Sequence, residues 1–373
     1  MQSVDSKQLA NVFFNENGHK KSIMDNWEDS IITDQSDIQD PVPFVTVNGS
    51  TFASLGDISF ISGAPKSGKS STTGFILASA LMKTKPAYFD SLGIVSNYQG
   101  NRPIIYIDTE QHPAHTKKRL KSVLKMSGID KQNTDMFKVF NWRVYAQKER
   151  HERLIRSLDI YNTACLWVID GIADFVGTTN DESAGNELIG LLMQKASENN
   201  AAIILLIHEN AQNGKMRGHI GSEAERKCGG AISIKKDREK GVHFIEPKYL
   251  RDAEDFTPVV FKYDNVQCRM VSVDSETANA AIQDQKNQSK KTVLRRLYEK
   301  CMGTDSSLSR TEFRKRIELD LDPNNESANQ SREQSANRKI KEMHDAFYIK
   351  LIGEKKSQTV EQLQNIDTPV PYS

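Results

Sequence analysis

The sequence predicts an α/β fold in which a mainly parallel sheet has helices on both faces, followed by a small, mostly helical C-terminal domain. Between residues 46 and 275, short apolar runs alternate with longer amphipathic stretches, a pattern typical of parallel strands joined by helices. A glycine-rich loop separates the first apolar run from the first amphipathic stretch. Near the C-terminus, three helical stretches precede one short apolar strand and a basic turn, which favours a winged helix-turn-helix.

The predicted core strands are short and rich in Ile, Val and Leu, as expected of strands buried on both faces. They span residues 58–62, 103–108, 137–141, 166–170 and 201–208. The helices predicted between them span residues 70–82, 114–126, 149–162 and 182–199. After His208 the chain becomes rich in β-forming residues, and we expect further strands at 231–236, 242–247 and 259–263.

Changes in composition predict four segments along the chain. Residues 1–45 form an acidic N-terminal arm, and residues 46–275 form the α/β core. Residues 276–291 lack aromatic side chains and are rich in Gln, Asn, Ala and Lys, which suits a linker. Residues 292–373 form the winged-helix-like domain with a flexible tail, with helices at 292–302, 309–317 and 327–347 and a strand at 348–352. A helical oligomerisation module or a lid is the alternative for this last segment.

Charge is distributed unevenly along the 373 residues, whose formal net charge is +1. Residues 1–40 contain eight acidic and three basic side chains, whereas residues 286–316 contain ten basic and three acidic ones. Such a basic stretch suits either nucleic-acid binding or a solvated helix face. No apolar run approaches the ~18 residues of a membrane span, and the four cysteines are scattered. We therefore expect a cytoplasmic protein without membrane contact or structural zinc.

The glycine-rich loop predicts a nucleoside triphosphate site. Residues 63–70 match the phosphate-loop pattern, with two glycines followed by Lys and Ser in register. The residues whose backbone is expected to face the phosphates are Gly63, Ala64, Pro65, Lys66, Ser67, Gly68, Lys69, Ser70 and Ser71. Lys69 is expected to contact the β- and γ-phosphates, and the Ser70 hydroxyl is expected to bind Mg²⁺. ATP and Mg²⁺ are the predicted cofactors.

A second magnesium-site residue is predicted at the end of a later strand. Four apolar residues precede Asp170, so its carboxylate is expected at the carboxyl end of a strand, where phosphate-loop enzymes hold their metal. A buried strand that merely ends at a capping Asp is the alternative reading.

Two further features resemble RecA-like ATPases, in particular the DnaB-like and plasmid RepA-type hexameric helicases. Glu110 closes the run Ile104-Ile105-Tyr106-Ile107-Asp108-Thr109-Glu110, and His208 ends the run of residues 203–208. The resemblance implies that Glu110 is the catalytic glutamate and that His208 senses the γ-phosphate. It also implies that the loop of residues 209–222 contacts DNA through Lys215 and Arg217.

In such rings a neighbouring subunit supplies cations to the γ-phosphate. The family often places them as Lys-x-Arg on a strand beyond the sensor, and here Lys248 and Arg251 are separated by two residues. Positions i and i+3 of a regular strand face opposite sides, so Arg251 fits only if the strand has ended. Lys248 is the preferred assignment, and Lys236 belongs to a rival set with Lys235 and Arg238.

The resemblance implies an ATP-driven, ring-forming motor on DNA, a hexamer that works with plasmid or mobile-element replication or mobilisation proteins. Single-stranded DNA would pass through the ring, and duplex DNA would meet the C-terminal domain. There, Arg338 and Lys339 are expected to face DNA, whereas Ala336, Ile340, Met343 and Phe347 are expected to be buried. One alternative is a non-translocating RecA-like regulator or loader. The other is a small-molecule kinase, which would need an arginine-rich lid and an acceptor site, and neither is evident in the sequence.

Overall fold

The computed structural model describes residues 30–86, 89–177, 182–210, 214–323, 329–353 and 358–363. The chain divides into two compact units, Met1–Ala278 and Asn279–Ser373. The predicted N-terminal arm lies largely outside the described residues. Strand β1 (Pro43–Val47) begins two residues before the predicted end of this arm at residue 45.

The first unit combines strands with helices. Its remaining strands are β2 (Ser50–Ser54), β3 (Ile58–Gly63), β4 (Ile94–Ser96), β5 (Ile104–Asp108), β6 (Phe137–Asn141), β7 (Leu166–Asp170), β8 (Ala202–His208), β9 (Gly230–Asp237), β10 (Val242–Leu250), β11 (Val259–Asp264) and β12 (Arg269–Ser272). Its helices are α1 (Lys69–Leu81), α2 (Pro113–Met126), α3 (Gln147–Ile160), α4 (Glu182–Asn199) and α5 (Gly218–Lys227), with a 3-10 turn at Ile172–Phe175.

Nine of these strands form one sheet in the order β12-β11-β10-β9-β3-β8-β7-β5-β6. The strands from β9 to β6 in this order are parallel to one another, and β10, β11 and β12 continue the sheet in antiparallel fashion. The predicted α/β class with a mainly parallel sheet is therefore confirmed. Strands β2, β1 and β4 form a separate small antiparallel sheet.

Both faces of the large sheet are covered, as the continuous apolar strands predict. On one face Leu166 and Val168 of β7 join a buried cluster with residues of α1 and α2. On the other face Trp167 and Ile169 join residues of α3, α4 and α5. Side chains of a strand alternate between faces, so β7 contributes to both cores and is fully buried.

The second unit contains a helix, a strand, two helices and two strands in chain order. They are α6 (Ser275–Met302), β13 (Ser307–Ser309), α7 (Arg310–Leu321), α8 (Asn329–Asp345), β14 (Ile349–Ile352) and β15 (Thr359–Gln362). The strands pair antiparallel in the order β13-β15-β14. The helices enclose a small core that includes Leu297, Phe313 and Ile340.

Two expectations for this region differ from the structure. The predicted linker, residues 276–291, is the first half of α6, because the segment contains no Gly or Pro and consists mostly of residues that favour helices. Ala336, Ile340 and Met343 are buried as predicted, but Phe347 is 64% exposed. Helix α8 ends at Asp345, and Phe347 adopts a positive φ of 60° beyond that end, so it leaves the buried face.

Among the residues that the structure describes, no helix combines the length and apolar character that crossing a membrane requires. The basic turn expected after the last strand, which would be the wing of a winged helix, contains Lys355 and Lys356, and these residues lie outside the described ranges.

Candidate functional site

The predicted site residues meet at one edge of the large sheet. Parallel pairing places Gly63 at the end of β3 opposite His208 at the end of β8, and Asp108 of β5 opposite Asp170 of β7. The carboxyl ends of neighbouring parallel strands are the usual location of ligand sites in α/β folds. This edge therefore brings together residues that are more than a hundred positions apart in sequence.

The loop between β3 and α1 has a backbone that depends on glycine. Gly63 and Gly68 have φ values of 153° and 111°, and a Cβ at Gly63 would lie only 2.4 Å from the carbonyl oxygen of Ile234. Helix α1 starts immediately after Gly68, so its positive N-terminal end faces the loop. The Ser67 hydroxyl oxygen is buried and has no hydrogen-bond partner among the described residues.

Lys69 lies across the opening of this loop. Its Nζ donates to the carbonyl oxygens of Gly63 (2.8 Å) and Ala64 (3.1 Å). Burial lowers the pKa of Lys69, and the carboxylates of Asp170 and Glu110 act in the opposite direction. The ammonium group is thus held inside the cleft next to the acidic residues.

Ser70 and Asp170 form the part of the site that fits a magnesium ion. The Ser70 hydroxyl donates to Asp170 Oδ2 at 3.2 Å, and the Tyr106 hydroxyl donates to the same oxygen at 3.1 Å. Burial and the nearby Asp108 raise the pKa of Asp170 to about 6. A hydroxyl and a carboxylate oxygen suit Mg²⁺, which takes few protein ligands and completes its octahedron with phosphate and water.

Glu110, His208 and Lys69 form a chain of contacts across the site. The Glu110 Oε1 atom lies 3.4 Å from His208 Nε2, and His208 Nδ1 lies 3.2 Å from Lys69 Nζ. Since Lys69 can only donate, its contact assigns Nδ1 as the acceptor and leaves the Nε2 hydrogen for Glu110. This hydrogen bond with His208 is the largest cause of the lowered pKa of Glu110. The Glu110 side chain remains 41% exposed and can be reached by water.

Asp108 orients the turn that carries Glu110, a role that the sequence analysis missed. Its Oδ1 accepts hydrogen bonds from the backbone N–H groups of Glu110 (3.1 Å) and Gln111 (2.9 Å), and its Oδ2 accepts from the Thr116 hydroxyl (2.7 Å). An aspartate two positions before another residue commonly caps that residue's backbone. The spacing of Asp108 and Glu110, two positions apart, is the sequence signal from which this role could have been predicted.

His243 supports the phosphate loop from the antiparallel side of the sheet, and it was also missed. Its Nδ1 lies 2.6 Å from the carbonyl oxygen of Ser67, and its ring stacks on Phe261 with centroids 5.2 Å apart. The carbonyl can only accept, so Nδ1 carries the hydrogen. Burial lowers the pKa of His243 and favours its neutral form. Nothing in the sequence around His243 identifies it, because its role depends on the pairing of β9 with β10.

One open cleft of about 730 Å³ contains most of the predicted nucleotide-site residues. Gly63 and Ala64, at the start of the loop, are not part of its lining. The predicted residues that line this cleft are Pro65, Lys66, Ser67, Gly68, Lys69, Ser70, Ser71, Glu110, Asp170, His208 and Lys236. Lys236 thus faces the cleft of its own chain.

The other two candidate trans cations lie elsewhere. Strand β10 ends at Leu250, so Arg251 lies beyond the end of the strand, as its spacing from Lys248 requires. Its backbone N–H donates to the Gly229 carbonyl oxygen at the opposite edge of the sheet, near the start of β3. Lys248 contacts Glu209 and the Gly214 carbonyl oxygen of its own chain. Action across a subunit interface stays a prediction for these cations.

The predicted DNA-contacting residues are on the surface. Lys215 and Arg217 are exposed just before α5, a helix that was not predicted, and residues 211–213 of the same loop lie outside the described ranges. In the second unit the Arg338 side chain is 70% exposed, whereas Lys339 donates to Glu342 at 2.7 Å.

Comparison of the sequence with known proteins found no matching family model and no matching curated protein. The functional argument therefore rests on the residues of the cleft.

Proposed function

We propose that this protein is an ATP-hydrolysing motor with a RecA-like core that acts on DNA as a ring, in the manner of helicases that replicate plasmids or mobile elements. The contact chain from Glu110 through His208 to Lys69 carries the proposal. In this proposal the three side chains would serve as the catalytic carboxylate, the γ-phosphate sensor and the phosphate-binding cation that hydrolysis of a terminal phosphate requires.

Each residue of the cleft has a chemical role in this proposal. The backbone of residues 63–71 would cradle the β-phosphate, and Lys69 would neutralise charge on the β- and γ-phosphate oxygens. Glu110 would accept the proton of the attacking water, since its carboxylate is ionised at neutral pH and can be reached by water. Ser70 and Asp170 would hold Mg²⁺, which supplies charge stabilisation to the phosphates when bound.

The second unit supports a DNA-binding role. Its chain order is helix, strand, helix, helix, strand and strand, with β15 between β13 and β14, and this order supports the proposal of a winged helix. Under this proposal α8 is the recognition helix, and Arg338 is its most exposed paired cation. Lysine and arginine contacts with phosphates would make the binding sensitive to salt.

The test measures ATP hydrolysis by the full chain with and without single-stranded DNA, together with displacement of a labelled strand and the mass of the native particle. We expect DNA-stimulated hydrolysis, strand displacement and a ring-sized particle with an ATP analogue and DNA. Lys69→Ala is the control, because removal of its ammonium group should abolish hydrolysis. Equal hydrolysis by the parent and Lys69→Ala proteins would reject the site. Stimulation without displacement would reject the motor and favour a regulatory or loading ATPase.

A further inference from the structure

The segment that carries Lys215 and Arg217 folds back onto the end of strand β8. The backbone N–H of Arg217 donates to the carbonyl oxygen of His208 at 2.9 Å. Glu209 and Met216 pair as an antiparallel bridge beside it. A change in position of the His208 peptide would therefore be transmitted directly to Arg217.

A mostly buried carboxylate lies beneath this turn. The Glu209 Oε1 atom accepts hydrogen bonds from the Ser62 hydroxyl (2.7 Å) and the Ser233 hydroxyl (2.9 Å). It also accepts one from Lys248 Nζ at 3.2 Å, and the Glu209 and Lys248 side chains are only 11% and 15% exposed. Ser62 immediately precedes the phosphate loop, so Glu209 links that loop to the β8 turn.

Lys248 connects this carboxylate to the folded-back segment. Its Nζ donates to the Gly214 carbonyl oxygen at 2.7 Å and lies 3.9 Å from Glu225 Oε1. The same Glu225 oxygen accepts from the Met216 backbone N–H at 3.4 Å. One ammonium group thus neutralises two carboxylates and holds a loop carbonyl, and all of these partners belong to its own chain.

We propose that the Glu209–Lys248 pair is an intrachain latch that fixes residues 214–217 against the end of β8. Lys248 is then a positioning residue for the segment that presents Lys215 and Arg217, and it is not a cation donated to a neighbouring subunit. Of the other two candidates, Arg251 remains a candidate trans cation, whereas Lys236 faces the cleft of its own chain. The coupling of this latch to DNA-dependent hydrolysis rests on the proposed function, whereas the latch itself does not.

The physical argument is the cost of an unpaired buried charge. Removing one partner of a buried ion pair is strongly destabilising because the other charge loses its neutralisation. Without Lys248, Glu209 and Glu225 would repel each other, and the Gly214 carbonyl would lose its donor. Donation of Lys248 to a neighbouring subunit would impose the same cost on its own chain.

The first test follows backbone hydrogen exchange in the full chain without nucleotide or DNA. We expect Lys248→Met to accelerate exchange at the Met216 and Arg217 amides by about tenfold or more, because local opening becomes easier. Lys195→Met is the matched control: Lys195 is 19% exposed and also bridges two carboxylates, Asp159 and Glu198. It should leave these two amides unchanged.

A second variant guards against misfolding of Lys248→Met. Glu209→Gln keeps an oxygen acceptor for Ser62 and Ser233 but removes the charge that Lys248 neutralises. It should accelerate exchange at the same two amides. Unchanged exchange in a folded Lys248→Met protein, or in folded Glu209→Gln if the first variant does not fold, would overturn the latch.

The closing experiment mixes Lys248→Met with Glu110→Gln subunits and measures ATP hydrolysis after co-assembly is confirmed. An intrachain latch predicts that the mixture hydrolyses ATP no faster than its two variants do separately. The reason is that every subunit with an intact Glu110 lacks its own latch. Recovery would show action of Lys248 across the interface and would overturn the proposal. Failure of the parent protein to hydrolyse ATP would instead reject the proposed function, and the exchange result would still decide the latch.

Discussion

Asp170 is the residue at which stability and the proposed chemistry oppose each other most directly. Its pKa is raised from 3.8 to about 6, mainly by burial. Between these pH values the folded protein holds a proton that the unfolded chain has released. The contribution of Asp170 to stability therefore falls as pH rises through this window, and above pH 6 the buried charge is a cost of at most about 3 kcal/mol.

Replacement of Asp170 by Asn should remove that cost. We expect Asp170→Asn to have a higher free energy of unfolding than the parent protein at pH 8. At pH 4 we expect little difference, because residue 170 is then neutral in both folded proteins. Denaturant unfolding at the two pH values, without Mg²⁺ or nucleotide, measures this. A variant that is less stable than the parent at pH 8 would show that the Asp170 carboxylate is stabilised rather than strained.

At this scale the sequence predicts residues that belong to a motif and misses those that depend on register. Lys69 and Ser70 follow from the spacing of the loop, and Glu110 and His208 follow from the resemblance to RecA-like ATPases at the ends of two apolar runs. The function of His243 depends on β10 pairing antiparallel to β9 beside the loop, and no local pattern contains that information.

At the scale of elements, the apolar strands of the large sheet were predictable, and the β1–β2 hairpin was missed. Strand β7 has the predicted bounds and β8 differs from them by one residue, because continuous apolar runs identify buried parallel strands. The hairpin of β1 and β2 was missed although Asn48 and Gly49 both have positive φ at its turn. Asn-Gly between two β-forming segments is the strongest short-range hairpin signal, and it could have been used.

Helix α8 carries the prediction that belongs to this scale. We expect Arg338→Ala to weaken binding of duplex DNA by the full chain and to reduce the dependence of binding on salt by about one phosphate contact. Arg153→Ala is the control, because Arg153 is also exposed and paired with a glutamate four residues away, but lies on α3 of the first unit. Titrations at several salt concentrations measure both effects. Equal binding by the two variants would argue against α8 as the DNA-facing helix.

At the scale of the whole molecule, the cleft and the second unit are separate in sequence. Residues that line the cleft lie between Pro65 and Met270, whereas the second unit begins at Asn279. A chain lacking residues 276–373 should therefore hydrolyse ATP within a few-fold of the parent rate and lose most of its affinity for duplex DNA. Loss of hydrolysis in a truncated chain that is still folded would mean that the second unit contributes to the active site.

The central claim is that Glu110 is the general base of an ATPase, and turnover by Glu110→Gln tests it most directly. The amide cannot accept the proton of the attacking water, so hydrolysis should fall by about 10²- to 10⁴-fold while ATP binding is retained. Glu149→Gln is the control, since Glu149 is similarly exposed at 46% but lies on the surface of α3. If Glu110→Gln binds ATP and loses only a few-fold of its rate, as a merely structural carboxylate would, the proposed mechanism is wrong.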